Sequence, residues 1–214
     1  MNKHHLESNV GLNEWNNLAQ KYSLTSNQIE QLKVYLELLL EWNKKFNLTA
    51  ITNAKDALEH HFDDSLAIIK VIDFSSIKTV ADVGTGGGFP GLPLEIIYPH
   101  LHTILIEVNN KKRSFLEYIV QTLNLENVNI YPFDWRTFLR TTEYDVDYFF
   151  ARASLQPEEL VRIFKPSCTY HKAQLVYWAS TKWTPEKSVT RFVEKEIVYT
   201  LDSVHRKFVF FKQR

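Results

Sequence analysis

The sequence predicts an α/β fold: a doubly wound, mostly parallel sheet behind an N-terminal helical segment. Three observations predict it. Apolar residues in the first third recur at helical spacing. From residue 79 onward, short β-rich runs appear, the early ones separated by helix-like stretches, which is the pattern of parallel strands joined by crossovers. Five of the six glycines, Gly84, Gly86, Gly87, Gly88 and Gly91, fall within eight residues between the first strand and the next helix. A chain that avoids glycine elsewhere uses it there for backbone freedom or close approach.

Composition bounds the class. At 214 residues the chain has room for one or two domains of roughly 150 residues. A helical segment over residues 1–75 and a sheet unit over 76–214 are expected. Hydrophobic residues at 44% and charged residues at 23% exclude disordered, collagen-like and coiled-coil chains. A single cysteine, Cys168, excludes a disulfide framework and a multi-cysteine metal site, and suits a reducing cytoplasm. No apolar run reaches the roughly 18 residues of a membrane span, and the first residues show no signal-peptide core. A cytoplasmic monomer is expected. The net charge of 0 is uneven: residues 1–159 hold 14 Lys/Arg against 21 Asp/Glu, residues 160–214 hold 11 against 4. The basic C-terminal segment suits a polyanionic partner.

The elements follow in order. Thr25 and Gln28 fit a capping box before a stripe of Ile29, Leu32, Tyr35, Leu36, Leu39 and Phe46, with Trp42 beside it. A second helical stretch follows Asn53 through HHFDDSLAIIKVI. Strands are expected at 79–83, 103–108, 128–131, 146–150, 174–178, 193–200 and 207–211, with helices at 91–98, 111–123 and 155–165. The last two strands leave no room for a helix between them, so they form an antiparallel pair at one end of the sheet.

The strand–glycine–helix segment TVADVGTGGGFPGLPLEIIY is the first crossover, where ligands bind in such sheets. Gly86, Gly88 and Gly91 match G-x-G-x-x-G, so a dinucleotide oxidoreductase is one reading. Asp82, two positions before the first glycine, favours a ligand with an ammonium group over one with a phosphate. Bulky Phe89 stands where a pyrophosphate needs bare N–H groups. Both features suit S-adenosylmethionine better. Glu107, 21 positions after Gly86, ends the second strand, where a carboxylate can take both ribose hydroxyls of either cofactor.

The segments EWNKKFNLTAI, HHFDDSLAII, ADVGTGGGFPGLPLEII and KKRSFLEYIVQTLNLENV resemble the bacterial guanine-N7 methyltransferases of small-subunit ribosomal RNA, the glucose-inhibited division protein B family. The likeness runs over residues 26–165, and HRKFVFFKQR resembles the family's last strand. The resemblance implies a seven-stranded, Rossmann-like methyltransferase sheet, S-adenosylmethionine as cofactor, and N7 of a guanine in 16S ribosomal RNA as acceptor. It puts Gly84 and Phe89 among the cofactor-loop contacts and Glu107 at the ribose, while Gly86 and Gly88 are cofactor-loop candidates from the glycine pattern itself. Arg152, in FFARASL, falls on a pocket-lining, catalytic position. The family's adenine-side pair falls on Trp135 and Arg136, so the acid is either displaced to Asp134 or missing. The lysine and glycine that end the family's fifth strand are missing from LVYWASTKW, and KPSCTYHK lacks the family's glycines. Those losses motivate a third reading, a non-catalytic family member.

N7 methylation needs no general base, because guanine N7 loses no proton. His60, His61, Asp63 and Asp64 look like a metal cluster, but neighbouring helix positions point apart, so no metal is expected; Asp64 and Ser65 read as capping or docking groups. Aromatic residues read mostly as core, Trp178 and Trp183 being the candidates for base stacking. Lys44, Lys45, Lys111, Lys112, Arg113, Arg206, Lys207, Lys212 and Arg214 are candidate phosphate contacts.

Overall fold

The computed structural model describes residues 10–202 and 204–213. Two helices open it, α1 (Leu12–Tyr22) and α2 (Ser26–Phe46). The Thr25 hydroxyl accepts the Gln28 N–H while the Gln28 side chain accepts the Thr25 N–H, so the expected capping box forms. Ile29, Leu32, Tyr35, Leu36 and Leu39 are buried as the stripe requires, but Phe46, in the last turn, is 38% exposed. Asn47 then takes the left-handed conformation that ends the helix.

The stretch after Asn53 is helical in pieces: α3 (Ala54–Ala57), a π-helical turn (Leu58–Asp63), α4 (Asp64–Leu66) and a 3-10 turn (Ala67–Lys70). The π turn widens the helix where its side chains and carbonyls meet the sheet.

Strands β1 (Thr79–Val83), β2 (His102–Ile106), β3 (Val128–Tyr131), β4 (Tyr148–Arg152), β5 (Gln174–Ser180), β6 (Val193–Leu201) and β7 (Val204–Phe211) form one sheet in the order β3-β2-β1-β4-β5-β7-β6. The first five are parallel; β7 runs antiparallel between β5 and β6. All five residues of β1 are buried, as a central strand with helices on both faces demands. Helices α5 (Gly91–Ile97) and α6 (Asn110–Thr122) are the first two crossovers.

Three elements differ from expectation. Helix α7 (Trp135–Thr141) follows β3; at seven residues, with Trp, Phe and two Thr among them, it gives little helical signal, and Asp134, whose carboxylate caps the Thr137 N–H, marks its start. The helix expected over 155–165 shortens to α8 (Pro157–Leu160) and a 3-10 turn (Val161–Phe164), because Pro166 biases Lys165 to extended backbone. A short α9 (Lys187–Thr190) precedes β6.

One hydrophobic cluster joins Trp15, Tyr35, Leu39, Phe62 and Phe74 of the helical segment to Val80, Leu105, Phe150 and Phe208 of the sheet. A second lies on the other face around Phe138, Phe149, Leu175 and Phe211.

Candidate cofactor loop and the ion network behind it

The loop leaves β1 at Gly84, and its backbone is held from two sides. Asp82 is fully buried. Its Oδ2 accepts the Thr85 hydroxyl at 2.6 Å and the Gly91 N–H at 2.9 Å, while Oδ1 has no partner. Burial pushes its carboxyl up to about 6. The expectation that this carboxylate faces a ligand is corrected: it clamps the loop to the start of α5 from behind. On the other side Glu107 is 6% exposed. Its Oε2 accepts the Gly86 N–H at 2.9 Å and its Oε1 the Asn109 N–H at 2.8 Å. Each carboxylate oxygen retains a second lone pair for a hydroxyl donor.

Gly86 and Gly88 both have positive φ, +62° and +97°, with opposite surroundings. A Cβ on Gly88 would lie 2.5 Å from the Tyr35 hydroxyl and 2.6 Å from Leu92 Cδ1. A Cβ on Gly86 would meet only Lys112 Nζ, at 3.9 Å. Gly86 therefore presents open space beside Glu107, and Gly84, whose Cβ would strike Ser154, supports the turn from below.

Next to Glu107 stand two exposed apolar side chains, Val108 (57%) and Phe133 (58%), which follow the carboxyl ends of β2 and β3. Arg113 holds this rim together: its guanidinium donates to the Val108 carbonyl at 2.7 Å and to the Pro132 carbonyl at 3.4 Å. Sequence reading missed Val108, Phe133 and Arg113 as a set.

Several expected contacts are turned elsewhere. The Phe89 ring is 3% exposed, stacked on Tyr35 and His61 beneath the loop. Trp135 is a core residue whose indole donates to the Glu159 carbonyl. Arg136 forms a bidentate pair with Glu159 at 2.6 and 2.8 Å. Asp134 is the cap of α7, its carboxyl held low by the Thr137 N–H. Trp178 is buried and donates to the Asp64 carbonyl, which removes it as an exposed stacking surface; Trp183 is half-buried beneath Lys207.

Arg152 is also corrected. Its side chain is 12% exposed, and its guanidinium lies over the Phe89 ring, 5.5 Å from the centroid. Nη1 donates to the His60 carbonyl at 2.6 Å and to Asp64 Oδ2 at 3.0 Å, and Nη2 lies 3.2 Å from His61 Nδ1. A guanidinium can only donate, so Nδ1 accepts and the His61 proton sits on Nε2, which donates to Thr49 at 2.8 Å. Burial, then the Arg152 charge, lowers the His61 pKa to about 3, which keeps this tautomer neutral. Asp64 also accepts from Arg206 at 3.2 Å and from Tyr199 at 2.7 Å. The W-N-K-x-x-N-L-T segment feeds the same network: Asn43 Oδ1 accepts the Thr49 N–H, and Asn43 Nδ2 donates to the Ile51 carbonyl.

The four apparent metal ligands part company accordingly. Asp63 turns to Lys21 and Tyr22, Asp64 to the arginines, His61 to Thr49. Among the described residues no group of three or more His, Cys, Asp or Glu could hold a metal ion, and no helix is long and apolar enough to cross a membrane. Arg206 and Lys207 are committed to Asp64 and Glu196, and Lys45 to Glu41. Arg214 lies outside the described residues.

A seven-stranded sheet in this order, with a glycine loop after β1 and an acid after β2, defines a protein of the Rossmann-like methyltransferase class. Solved structures agree on the fold: MtNAS in complex with MTA and tNA (TM-score 0.60, 13% identity, covering 94% of this chain and 82% of that one), and M. capricolum TrmK in complex with S-adenosyl-homocysteine (TM-score 0.53, 14% identity, covering 70% and 67%). The family model GidB, described as rRNA small subunit methyltransferase G, matches residues 28–209. The chain belongs to that family. Ribosomal RNA small subunit methyltransferase G of Bacillus subtilis (strain 168) is 45% identical over 111 residues, 51% of this chain and 46% of that protein. Its counterpart in Listeria monocytogenes serotype 4b (strain F2365) is 32% identical over 194 residues, 86% of this chain and 82% of that protein. The matched stretch thus spans about half the Bacillus protein and most of the Listeria one.

Proposed function

We propose that the chain is an S-adenosylmethionine-dependent methyltransferase that acts in the cytoplasm on N7 of a guanine in small-subunit ribosomal RNA. The observation that carries this reading is the pairing of Gly86 with Glu107. The one loop glycine whose Cβ direction is open lies beside a carboxylate with free lone pairs, next to exposed Val108 and Phe133. That cradle fits an adenosyl group: ribose hydroxyls on Glu107, the base against the two apolar side chains, the amino-acid end over Gly86. Bound there, the cofactor supplies a sulfonium methyl carbon that is already electrophilic.

The chain's own work is alignment. Guanine N7 carries a lone pair that is unprotonated at neutral pH, so no residue needs to take a proton, and orientation alone can supply about 7–11 kcal/mol of the barrier. The Asp82 clamp and the Glu107 bonds fix the loop; the Arg152–Asp64 network fixes the helical segment that backs it through Phe89 and Tyr35. Family membership favours this reading over a dinucleotide oxidoreductase. The experiment is transfer of labelled methyl from S-adenosylmethionine to small ribosomal subunits prepared from a strain deleted for this gene, with the product mapped as N7-methylguanine. Transfer to a single guanine is expected. Binding of S-adenosylhomocysteine without transfer to subunits or naked RNA would instead favour the non-catalytic reading.

A further inference from the structure

The last quarter of the chain carries the excess positive charge, yet Arg206 and Lys207 neutralise Asp64 and Glu196. What remains is not spread evenly. A cavity of about 400 Å³ between the turn entering β5 and the end of β7 is lined by His171, Lys172, Lys212 and Gln213, with no carboxylate among them.

The site is built rather than merely charged. Three successive turns carry the chain into β5, closed by Cys168 N–H to Lys165, His171 N–H to Cys168 and Ala173 N–H to Tyr170. Tyr170 is buried and anchors the turn through its hydroxyl, which bonds the Thr142 hydroxyl and accepts the Tyr144 N–H. The His171 ring is fixed next to it: Nδ1 lies 2.8 Å from the Cys168 carbonyl, which can only accept, so Nδ1 carries a proton and Nε2 is left for a ligand. Lys212 is set by its backbone N–H on the Phe192 carbonyl, and its amine has one loose contact, Glu194 at 3.9 Å with both side chains exposed. Lys172 has no ion pair among the described residues. It also borders a neighbouring cavity with Asp145 and Asp147, and Asp147 already accepts the Lys78 and Thr79 N–H groups.

We propose that His171, Lys172 and Lys212 form a phosphate-binding site that holds a backbone phosphate of the RNA substrate at the end of the sheet opposite the glycine loop. The inference rests on the reading of the chain as an RNA enzyme. Two ammonium groups match a phosphodiester, which offers charge and acceptor oxygens, and the Nε2 lone pair of the imidazole can accept the adjoining ribose 2′-hydroxyl. The site lies at the amino end of β5, whereas the loop leaves the carboxyl end of β1. Seven strand residues separate the ends by about 20 Å, so RNA gripped here is anchored several nucleotides away from the base at the loop.

The test uses the full chain and a labelled single-stranded fragment of small-subunit ribosomal RNA, followed by fluorescence anisotropy across a salt series. The triple variant His171→Ala, Lys172→Ala, Lys212→Ala is compared with Lys182→Ala, Lys187→Ala, which removes the same two lysine charges from exposed positions outside the cavity. The triple variant is expected to bind RNA more weakly, with a log–log salt slope shallower by about 0.7 for each phosphate that it no longer neutralises. Its affinity for S-adenosylhomocysteine and its melting temperature should be unchanged. Equal weakening in the control pair would overturn the proposal, since general charge would then account for the effect. Loss of inorganic-phosphate binding with RNA affinity intact would make this a free-anion site and overturn it too. If the wild-type chain binds no RNA at all, both this site and the proposed substrate fall; if it binds and methylates RNA while the triple variant does so equally well, only this site falls.

Discussion

Arg152 and Asp64 lie 88 positions apart in the chain and meet at 3.0 Å, with Asp64 wholly buried. The contact ties the end of β4 to the helical segment, and Arg206 of β7 and Tyr199 of β6 join the same carboxylate. Three strands are thereby fixed to one side chain of the helical segment, and the Arg152 guanidinium in the same network lies over the Phe89 ring.

Removing that side chain is predicted to be costly. Asp64→Ala would leave the Arg152 guanidinium largely buried without its counter-charge and Tyr199 without its acceptor. Breaking one partner of a buried pair costs about 3–5 kcal/mol. Urea denaturation of Asp64→Ala should show a loss of that order, and Asp64→Asn a smaller one because one acceptor oxygen survives. A loss within experimental error for Asp64→Ala would mean that water replaces the carboxylate freely.

Two of the three positive-φ glycines, Gly86 and Gly88, are predicted to respond differently. Gly86→Ala adds a methyl group to open space, so its stability loss is limited to the left-handed strain, about 1–2 kcal/mol. It fills the cradle, so calorimetry should show S-adenosylhomocysteine binding weakened by an order of magnitude or more. Gly88→Ala drives the methyl group into Tyr35 and Leu92 and should add about 1–3 kcal/mol of overpacking to the same strain. Equal cofactor loss in both variants at matched folded fraction would show that the cradle is not at Gly86.

Glu107→Ala removes the acceptor for two backbone N–H groups and the proposed ribose partner together. Hydrogen bonds to a charged group contribute about 1.5–3 kcal/mol, so cofactor affinity should fall at least about tenfold. Glu107→Gln retains one acceptor oxygen and should fall between. Affinity within twofold of wild type in Glu107→Ala would place the ribose elsewhere.

Much of this was legible in the residues, and the limits have physical causes. Seven strands and their parallel-then-antiparallel order follow from period and spacing, because β-rich runs and glycine punctuation are local. The capping box at Thr25 and Gln28 is likewise local. Side-chain direction is not. Asp82, Phe89, Trp135 and Arg152 all occupy the expected positions in the chain, yet each points into the protein, because what lies behind a loop depends on elements far away in sequence. The Arg152 acceptors come from residues 60–64 and the Trp135 acceptor from Glu159. Charge counting failed for the same reason at Arg206 and Lys207, whose partners are Asp64 and Glu196.

A last prediction concerns Glu95, on α5. Its side chain is buried, residue exposure 2%, and Oε2 has no partner. Burial pushes its carboxyl up to about 7, opposed by one backbone N–H from Asn127. The ordinary value is 4.5, so between these two values the folded chain holds a proton that the unfolded chain releases. Folding stability from this group is therefore complete below about 4.5 and is lost as pH rises through about 7. Asp82 acts in the same direction at slightly lower pH, through about 6. The wild-type melting temperature should then climb as pH falls from 8 to 5. Glu95→Gln is isosteric and neutral throughout, so it should melt higher than wild type at pH 8, by about 2–4 °C for each kcal/mol recovered. The advantage should shrink steadily and vanish near pH 4.5. Differential scanning calorimetry at four pH values distinguishes this from a packing effect, which would shift the melting temperature by the same amount at every pH. The residual slope of the variant reports Asp82, and combining Glu95→Gln with Asp82→Asn should flatten it further, at the expense of the loop clamp on Thr85 and Gly91.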